Sequence, residues 1–431
     1  MNEPLNIAVA GLGTVGAGLL ALLERNGELL ALRCGRPIAV TAVSARDRTK
    51  DRGVDLSGLD WYDDAVAMAR EARADVVVEL IGGADGVAKA TCEAAIAAGR
   101  HVVTANKALI AHHGTVLARA AEAAGVVLAY EAAVAGGIPI IKSLREGLAG
   151  NGLTRVYGIL NGTCNYILTN MRETGRPFDD VLAEAQALGY AEADPRFDVD
   201  GVDAAHKLAI LASVAFGCEV NFGAVHVEGI RHVSPMDIRF ADQLGYRIKL
   251  LGIASLTEDG GVEQRVHPCM VRQGAPIAAV EGVFNAVVAD GDFVDTVLHE
   301  GRGAGDGPTA SAVAADLVDL ARGNRVPTFA VPATRLASRP PAPMTDHRGA
   351  YYVRLMVVDR PGVFADVAAS LRDHEVSMES VLQQARAPGE PVPVVMTVHD
   401  TRESDMMAAL GEIGSLDAVV EPPRLIRIEG F

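Results

Sequence analysis

A glycine triplet near the amino terminus constrains this chain more than any other feature. "IAVAGLGTVGAG" places Gly11, Gly13 and Gly16 in G-x-G-x-x-G spacing. An apolar strand pattern, "NIAVAG", runs into the triplet, and a helix pattern, "VGAGLLALLERNG", runs out of it. In that context the glycines allow a tight turn, close approach of backbone to a pyrophosphate, and close helix–strand packing. The helix amino terminus then faces the phosphates. Gly11, Gly13, Thr14, Val15 and Gly16 are therefore expected to line a dinucleotide.

The rest of the first third agrees. Val/Ile/Leu-rich runs such as "IAVTAVS", "DVVVELIG", "HVVTANK" and "VVLAYEAAV" alternate with Ala-rich helix patterns. Strands that are apolar on both faces and separated by helices predict a parallel, doubly wound α/β sheet. The second strand ends in "VSARDR", where NAD sites commonly place an acid on the ribose 2′-hydroxyl. Arg46 and Arg48 instead suit a 2′-phosphate, so NADP is expected, with Asp47 leaving NAD possible.

A Rossmann-type domain is thus expected over 1–135, joined by a returning segment at 301–325. An α+β substrate-binding, catalytic and dimerisation domain is expected over 136–300. Five prolines mark 326–348 as a linker. Residues 349–431 read as a separate βαββαβ unit, its second strand spanning "MESVLQQAR".

The net charge of −16 argues against nucleic acid or an anionic membrane as partner. With 4% aromatics, base-stacking platforms are not expected either. Five scattered cysteines suggest reduced thiols in the cytoplasm. "MNEPLNIAVAG" lacks a basic signal-peptide head, and no apolar stretch reaches the ~18 residues of a membrane helix.

Ligands of an open α/β sheet gather at the carboxyl ends of its strands. Those ends include Thr104, Lys107 and Glu131. Glu131 enters a glycine-rich turn whose carbonyls could hold a monovalent cation. Further along, "DPRFDVDGVDAAHK" carries aspartates at 194, 198, 200 and 203 and ends at Lys207. Asp203 and Lys207 are four apart and share a helix face with Ile210, Leu211 and Val214. Either they form an ordinary ion pair, or Lys207 is a proton donor tuned by an acid. Asp194, Asp198 and Asp200 could cap the helix or close the loop.

"LGYAEADPRFDVDGVDAAHK" resembles the signature of the homoserine dehydrogenases, matching at Asp194, Pro195, Asp198, Gly201, Asp203 and Lys207. "TANK", "EAAVAGGIPII", "NGTCNYIL" and "GRGAGDGPTASAV" resemble further segments of that family, over roughly residues 5–325. The resemblance implies interconversion of L-homoserine and L-aspartate 4-semialdehyde with a nicotinamide cofactor. It implies Lys207 as acid/base, Asp203 placing substrate or water, and Lys107 as a competing donor or orienting charge. Glu192 and Asp198 would contact the substrate, and Glu192 would grip its ammonium. Glu131, Val134, Gly136 and Ile138 would form a sodium site, and Gly303 and Gly305 would approach the cofactor. "VVDRPGVFADVAASL" resembles an ACT domain, implying a threonine effector; a homodimer or homotetramer is expected.

Two other readings remain at this point. A phosphorylating semialdehyde dehydrogenase would use Cys164 as nucleophile. A non-catalytic amino-acid sensor would rely on the C-terminal unit alone.

Overall fold

The computed structural model describes residues 3–383 and 389–431. Its first sheet contains β1 (Leu5–Ala10), β2 (Ile38–Ser44), β3 (Asp60–Tyr62), β4 (Val76–Glu79), β5 (His101–Thr104) and β6 (Leu128–Ala129). All pairs are parallel, in the order β3-β2-β1-β4-β5-β6. This is the doubly wound dinucleotide-binding order. Helices α1 (Thr14–Cys34), α2 (Ala65–Glu71), α3 (Val87–Ala97) and α4 (Lys107–Ala123) connect the strands.

The strand expected over 126–134 is cut short. Only Leu128 and Ala129 pair with β5. Tyr130 is fully buried, and its hydroxyl donates to Thr328 O at 2.7 Å. Glu131 N–H is taken by Asp316 at 2.9 Å. These side-chain contacts pull the backbone out of the sheet.

The chain then forms α5 (Ile140–Lys142), β7 (Leu153–Ile159), α6 (Gly162–Thr174), α7 (Phe178–Ala187), α8 (Arg196–Val199) and α9 (Val202–Phe216). Next come β8 (His226–Val227), α10 (Pro235–Gln243), β9 (Tyr246–Leu256), β10 (Val262–Arg272), β11 (Phe284–Gly291) and β12 (Asp295–Arg302). Helix α9 is apolar almost all round and lies against β7, β9 and β10. Gly252 on β9 makes room for it, since a Cβ there would come within 2.8 Å of Leu160 and 3.5 Å of Leu208. Helix α11 (Asp306–Arg322) returns to the first domain and buries Ala310, Val313 and Leu317 with Leu19, Leu20 and Leu23 of α1.

The C-terminal elements are β13 (Arg348–Val358), α12 (Val363–Asp373), β14 (Met378–Gln383), β15 (Pro391–Arg402), α13 (Glu403–Ile413) and β16 (Arg424–Glu429). Their order is βαββαβ; the part of the expected "MESVLQQAR" strand beyond Gln383 lies outside the described residues. The expectation of a separate unit needs correction. Strand β16 pairs in parallel with β10 through Cys269↔Arg427, Met270↔Ile428 and Val271↔Glu429. The result is one ten-stranded sheet, with the path β12-β11-β7-β9-β10-β16-β13-β15-β14 and β8 beside β10. Ion pairs close the seam: Arg265 with Glu429 and Arg354 with Asp237 are buried, and Arg427 meets the half-exposed Glu228.

The proline-rich 326–348 stretch is likewise no free linker. Phe329, Ala333 and Leu336 are buried, Ala337 bridges Cys218, and Pro341 bridges Val262. Its few apolar side chains pin it down as a strap. No helix among the described residues is long and apolar enough to cross a membrane.

Candidate active site

The glycine turn separates two demands. Gly11 has φ +99°, and a Cβ there would lie 2.5 Å from Leu80 O. A Cβ on Gly16 would lie 2.1 Å from Gly11 O. Both glycines are required by the chain's own packing. Gly13 is exposed, and a Cβ built there meets nothing within 4 Å. Gly13 caps α1 without a side-chain acceptor, leaving the first-turn N–H groups of Thr14, Val15 and Gly16 open to an anion. This cradle fits the pyrophosphate of a dinucleotide.

Arg46 and Arg48 lie exposed after β2. Asp47 turns back into its own loop, accepting from Thr49 N at 2.8 Å and Thr49 Oγ1 at 2.7 Å. Arg52, not singled out from the sequence, ties this loop to the glycine turn through Leu12 O at 3.1 Å. Arg48 and Arg52 each stand 5.7 Å from the Trp61 ring centre.

Thr104 is buried, and its hydroxyl donates to Glu79 at 2.6 Å. Its side chain therefore ties the β4 and β5 ends together. Asn106 completes that turn: its Nδ2 donates to Gly83 O at 2.7 Å, and its Oδ1 caps α4 through Leu109 N. The cap points the first residue of α4, Lys107, toward α9.

There Lys107 meets Asp203. Lys107 Nζ is 3.0 Å from Asp203 Oδ1, and Lys207 Nζ is 2.7 Å from Asp203 Oδ2. Lys207 also donates to Leu160 O at 2.7 Å. Asp203 and Lys207 are buried, while the Lys107 side chain is 35% exposed, so Lys107 marks the open side of the cluster. Burial alone would raise the Asp203 carboxyl, but the two ammonium groups outweigh it and hold it well below the usual carboxylate range. The Asp203 charge raises Lys107 and keeps it protonated, against the opposing pull of burial. Phe197 lies 5.6 Å from Lys107 Nζ.

Asp198 joins the cluster through Asn161, whose Nδ2 donates to Asp198 Oδ1 and Asp203 Oδ2, both at 2.8 Å. Burial pushes the Asp198 carboxyl up, and the Asn161 hydrogen bond opposes this. Glu192 is exposed and near enough to raise Lys107 through its charge. Neither Asp194 nor Asp200 caps α9. That position belongs to Gly201 at φ +85°, while Asp194 pairs with Arg196 and Asp200 with Arg231. Cys164 is fully buried, its Sγ is 3.3 Å from Asp198 O, and burial pushes its thiol far up. It cannot serve as a thiolate nucleophile.

The turn after Glu131 is a separate feature. Glu131 is buried, and its carboxylate accepts from Ile141 N at 2.9 Å and Lys142 N at 2.8 Å. Burial, with Asp316 beside it, pushes this carboxyl up to about 7. Among the described residues, none donates a hydrogen bond to the carbonyls of Val134 or Gly136, both buried. Ile138 O accepts from Ile140 N at 2.7 Å. Gly303 packs here: a Cβ on it would strike Asn285, and one on Gly136 would lie 2.7 Å from Gly303 O. Gly305 stands exposed at the amino end of α11.

The fold and these sites define a nicotinamide-dependent oxidoreductase with a buried lysine–aspartate cluster. Residues 139–318 match the family model for homoserine dehydrogenase, and residues 11–131 match that for the homoserine dehydrogenase NAD binding domain. The chain belongs to the homoserine dehydrogenase family. It is 47% identical to the homoserine dehydrogenase of Pseudomonas aeruginosa, over 99% of each chain. It is 44% identical to that of Neisseria gonorrhoeae, over 100% of this chain and 99% of the other. The crystal structure of a homoserine dehydrogenase from Thiobacillus denitrificans superposes with a TM-score of 0.93, at 46% identity over 99% of each chain. A hyperthermophilic archaeal homoserine dehydrogenase in complex with NADPH superposes at 0.64, with 26% identity over 76% of this chain and all of the other.

Proposed function

We propose that Lys207 is the acid/base of homoserine oxidation and semialdehyde reduction, and that Lys107 is a fixed positive charge that orients the reacting oxygen. One observation carries this: both ammonium groups converge on the buried Asp203. A bound nicotinamide supplies or accepts the hydride. Lys207 donates a proton to the carbonyl oxygen in reduction and takes it back in oxidation. An ammonium has three donors. Leu160 O and Asp203 take two of those on Lys207 and leave one for the substrate. Lys107, held protonated by Asp203, suits a standing charge. Glu192 and Asp198 bind the polar end of the amino-acid substrate.

NADP is the preferred cofactor. Exposed Arg46 and Arg48 are free to meet a 2′-phosphate, while Asp47 is committed to Thr49. The NADPH bound to the archaeal relative supports the same reading. Arg46→Ala should lower the NADP:NAD ratio of kcat/KM about tenfold or more. An unchanged ratio would remove Arg46 from the cofactor site.

A monovalent cation, sodium first, is held at the turn after Glu131. The undonated carbonyls of Val134 and Gly136 support this, since oxygen ligands suit hard cations. The Glu131 carboxylate serves the backbone of α5 instead. Sodium chloride should raise the melting temperature above that in choline chloride at equal ionic strength.

The C-terminal unit acts as an ACT domain and takes threonine as effector, at the cleft between β13 and α12 lined by Val357, Asp359, Arg360, Phe364 and Gln383. Inhibition by threonine, lost in Asp359→Ala, tests it. The enzyme works in the cytoplasm as a homodimer or homotetramer. Its five free, buried cysteines are in keeping with a reducing compartment.

A further inference from the structure

We infer that Asn161 is a positioning residue of the reaction: it holds the Asp198 and Asp203 carboxylates side by side and so sets where the two lysines point. The inference rests on the proposed roles of Lys207 and Asp203.

Asn161 follows β7 and caps α6. Its Oδ1 accepts from Cys164 N at 2.8 Å. That bond fixes the orientation of the amide, because the other end faces two carboxylates, which are acceptors when ionised. Nδ2 must therefore point at them. It donates one hydrogen to Asp198 Oδ1 and one to Asp203 Oδ2, each at 2.8 Å. Asn161 is itself buried.

Two neighbouring anions, one buried and one half-buried, repel, and each makes the other easier to protonate. One amide donating to both offsets that repulsion without adding a charge. The preceding residue is part of the same device, since Leu160 O receives Lys207 at 2.7 Å. Consecutive residues thus grip the ammonium and the two carboxylates around it. The rigid end of β7 and the cap of α6 fix this grip in space. An amide that merely capped α6 would need only its oxygen.

Asn161→Ser and Asn161→Thr both keep a good capping acceptor and lose the double donor. Each variant should melt near the wild-type temperature. Each should lose about ten- to a hundredfold in kcat, the scale of a hydrogen bond to a charged group. The acid limb of the kcat/KM–pH profile should move to higher pH, because carboxylates deprived of a donor protonate more readily. An unmoved acid limb with near-wild-type kcat would overturn the inference and leave Asn161 as a helix cap. Failure of both variants to fold would do the same. Lys207→Ala and Asp203→Asn assayed alongside separate the two levels. If these are inactive while the Asn161 variants are normal, only the present inference fails. If they are active, the proposed lysine–aspartate roles fail.

Discussion

Asp203 and Lys207 stand one helical turn apart on α9, with carboxylate and ammonium 2.7 Å apart and both buried. On a solvated helix such a pair contributes a few tenths of a kcal/mol. Here Lys107 reaches the same carboxylate from α4, and Asn161 reaches it from the end of β7. A residue serving three partners in a dry site is costly to alter.

Asp203→Asn should therefore damage both activity and stability. It leaves Lys207 buried without its counter-charge, a loss of about 3–5 kcal/mol. Activity should fall about a hundredfold or more, the usual range for disturbed acid–base catalysis. Steady-state kinetics and denaturant unfolding of one preparation measure both. Near-normal values for both would reduce Asp203 to a spectator.

The glycine turn predicts two opposite phenotypes from one kind of substitution. Gly16→Ala drives a Cβ into Gly11 O and should lower the melting temperature. Gly13→Ala meets nothing in the chain and should leave the melting temperature unchanged. It should nevertheless raise the KM for the nicotinamide cofactor about tenfold or more, because the added methyl occupies the phosphate approach. Equal thermal and kinetic effects in the two variants would contradict this division.

Cys164 should prove dispensable for chemistry. Its thiol is buried and pushed far up, so iodoacetamide at pH 8 should leave activity intact. Cys164→Ala should retain kcat within a few-fold. Complete inactivation by alkylation, with the fold preserved, would revive the thiolate mechanism.

The seam between β10 and β16 should lose stability in acid. Burial would raise Glu228, but hydrogen bonds from His226 and Arg427 outweigh it and hold the carboxyl down at about 2. Glu263, where burial is likewise outweighed by His347 and Arg265, is also held at about 2. A carboxyl depressed on folding stabilises above its unfolded value of 4.5, and that stability is lost as pH falls toward 2. Glu228→Gln should flatten the fall in melting temperature between pH 5 and 3, a window about the unfolded carboxylate pKa. An unchanged slope would locate the acid-sensitive groups elsewhere.

The parts of this enzyme that are local in sequence were legible there. The glycine turn needs only a strand before it and a helix after it. The Asp203–Lys207 pair needs only helical spacing. The convergence of Lys107 on Asp203 was not legible, because α4 and α9 meet only through tertiary packing. Asn161 was hidden for the same reason: its signature is a capping residue, and its second hydrogen-bonding end shows only when α8 and α9 are in place. Strand β10 carries Pro268 in its middle and Glu263 and Arg265 on its length, so its pattern reads poorly as a central strand. Glu429 neutralises Arg265 from the far end of the chain. The 326–348 prolines suggested a linker because composition records flexibility and not the buried ring of Phe329.

The most direct measurement is homoserine-dependent reduction of NADP by Lys207→Ala beside the wild type, with cofactor affinity measured independently by fluorescence titration. The account predicts turnover in the wild type, loss of about a hundredfold or more in the variant, and unchanged cofactor binding. A variant that binds cofactor and keeps most of its turnover would contradict it and move the proton to Lys107.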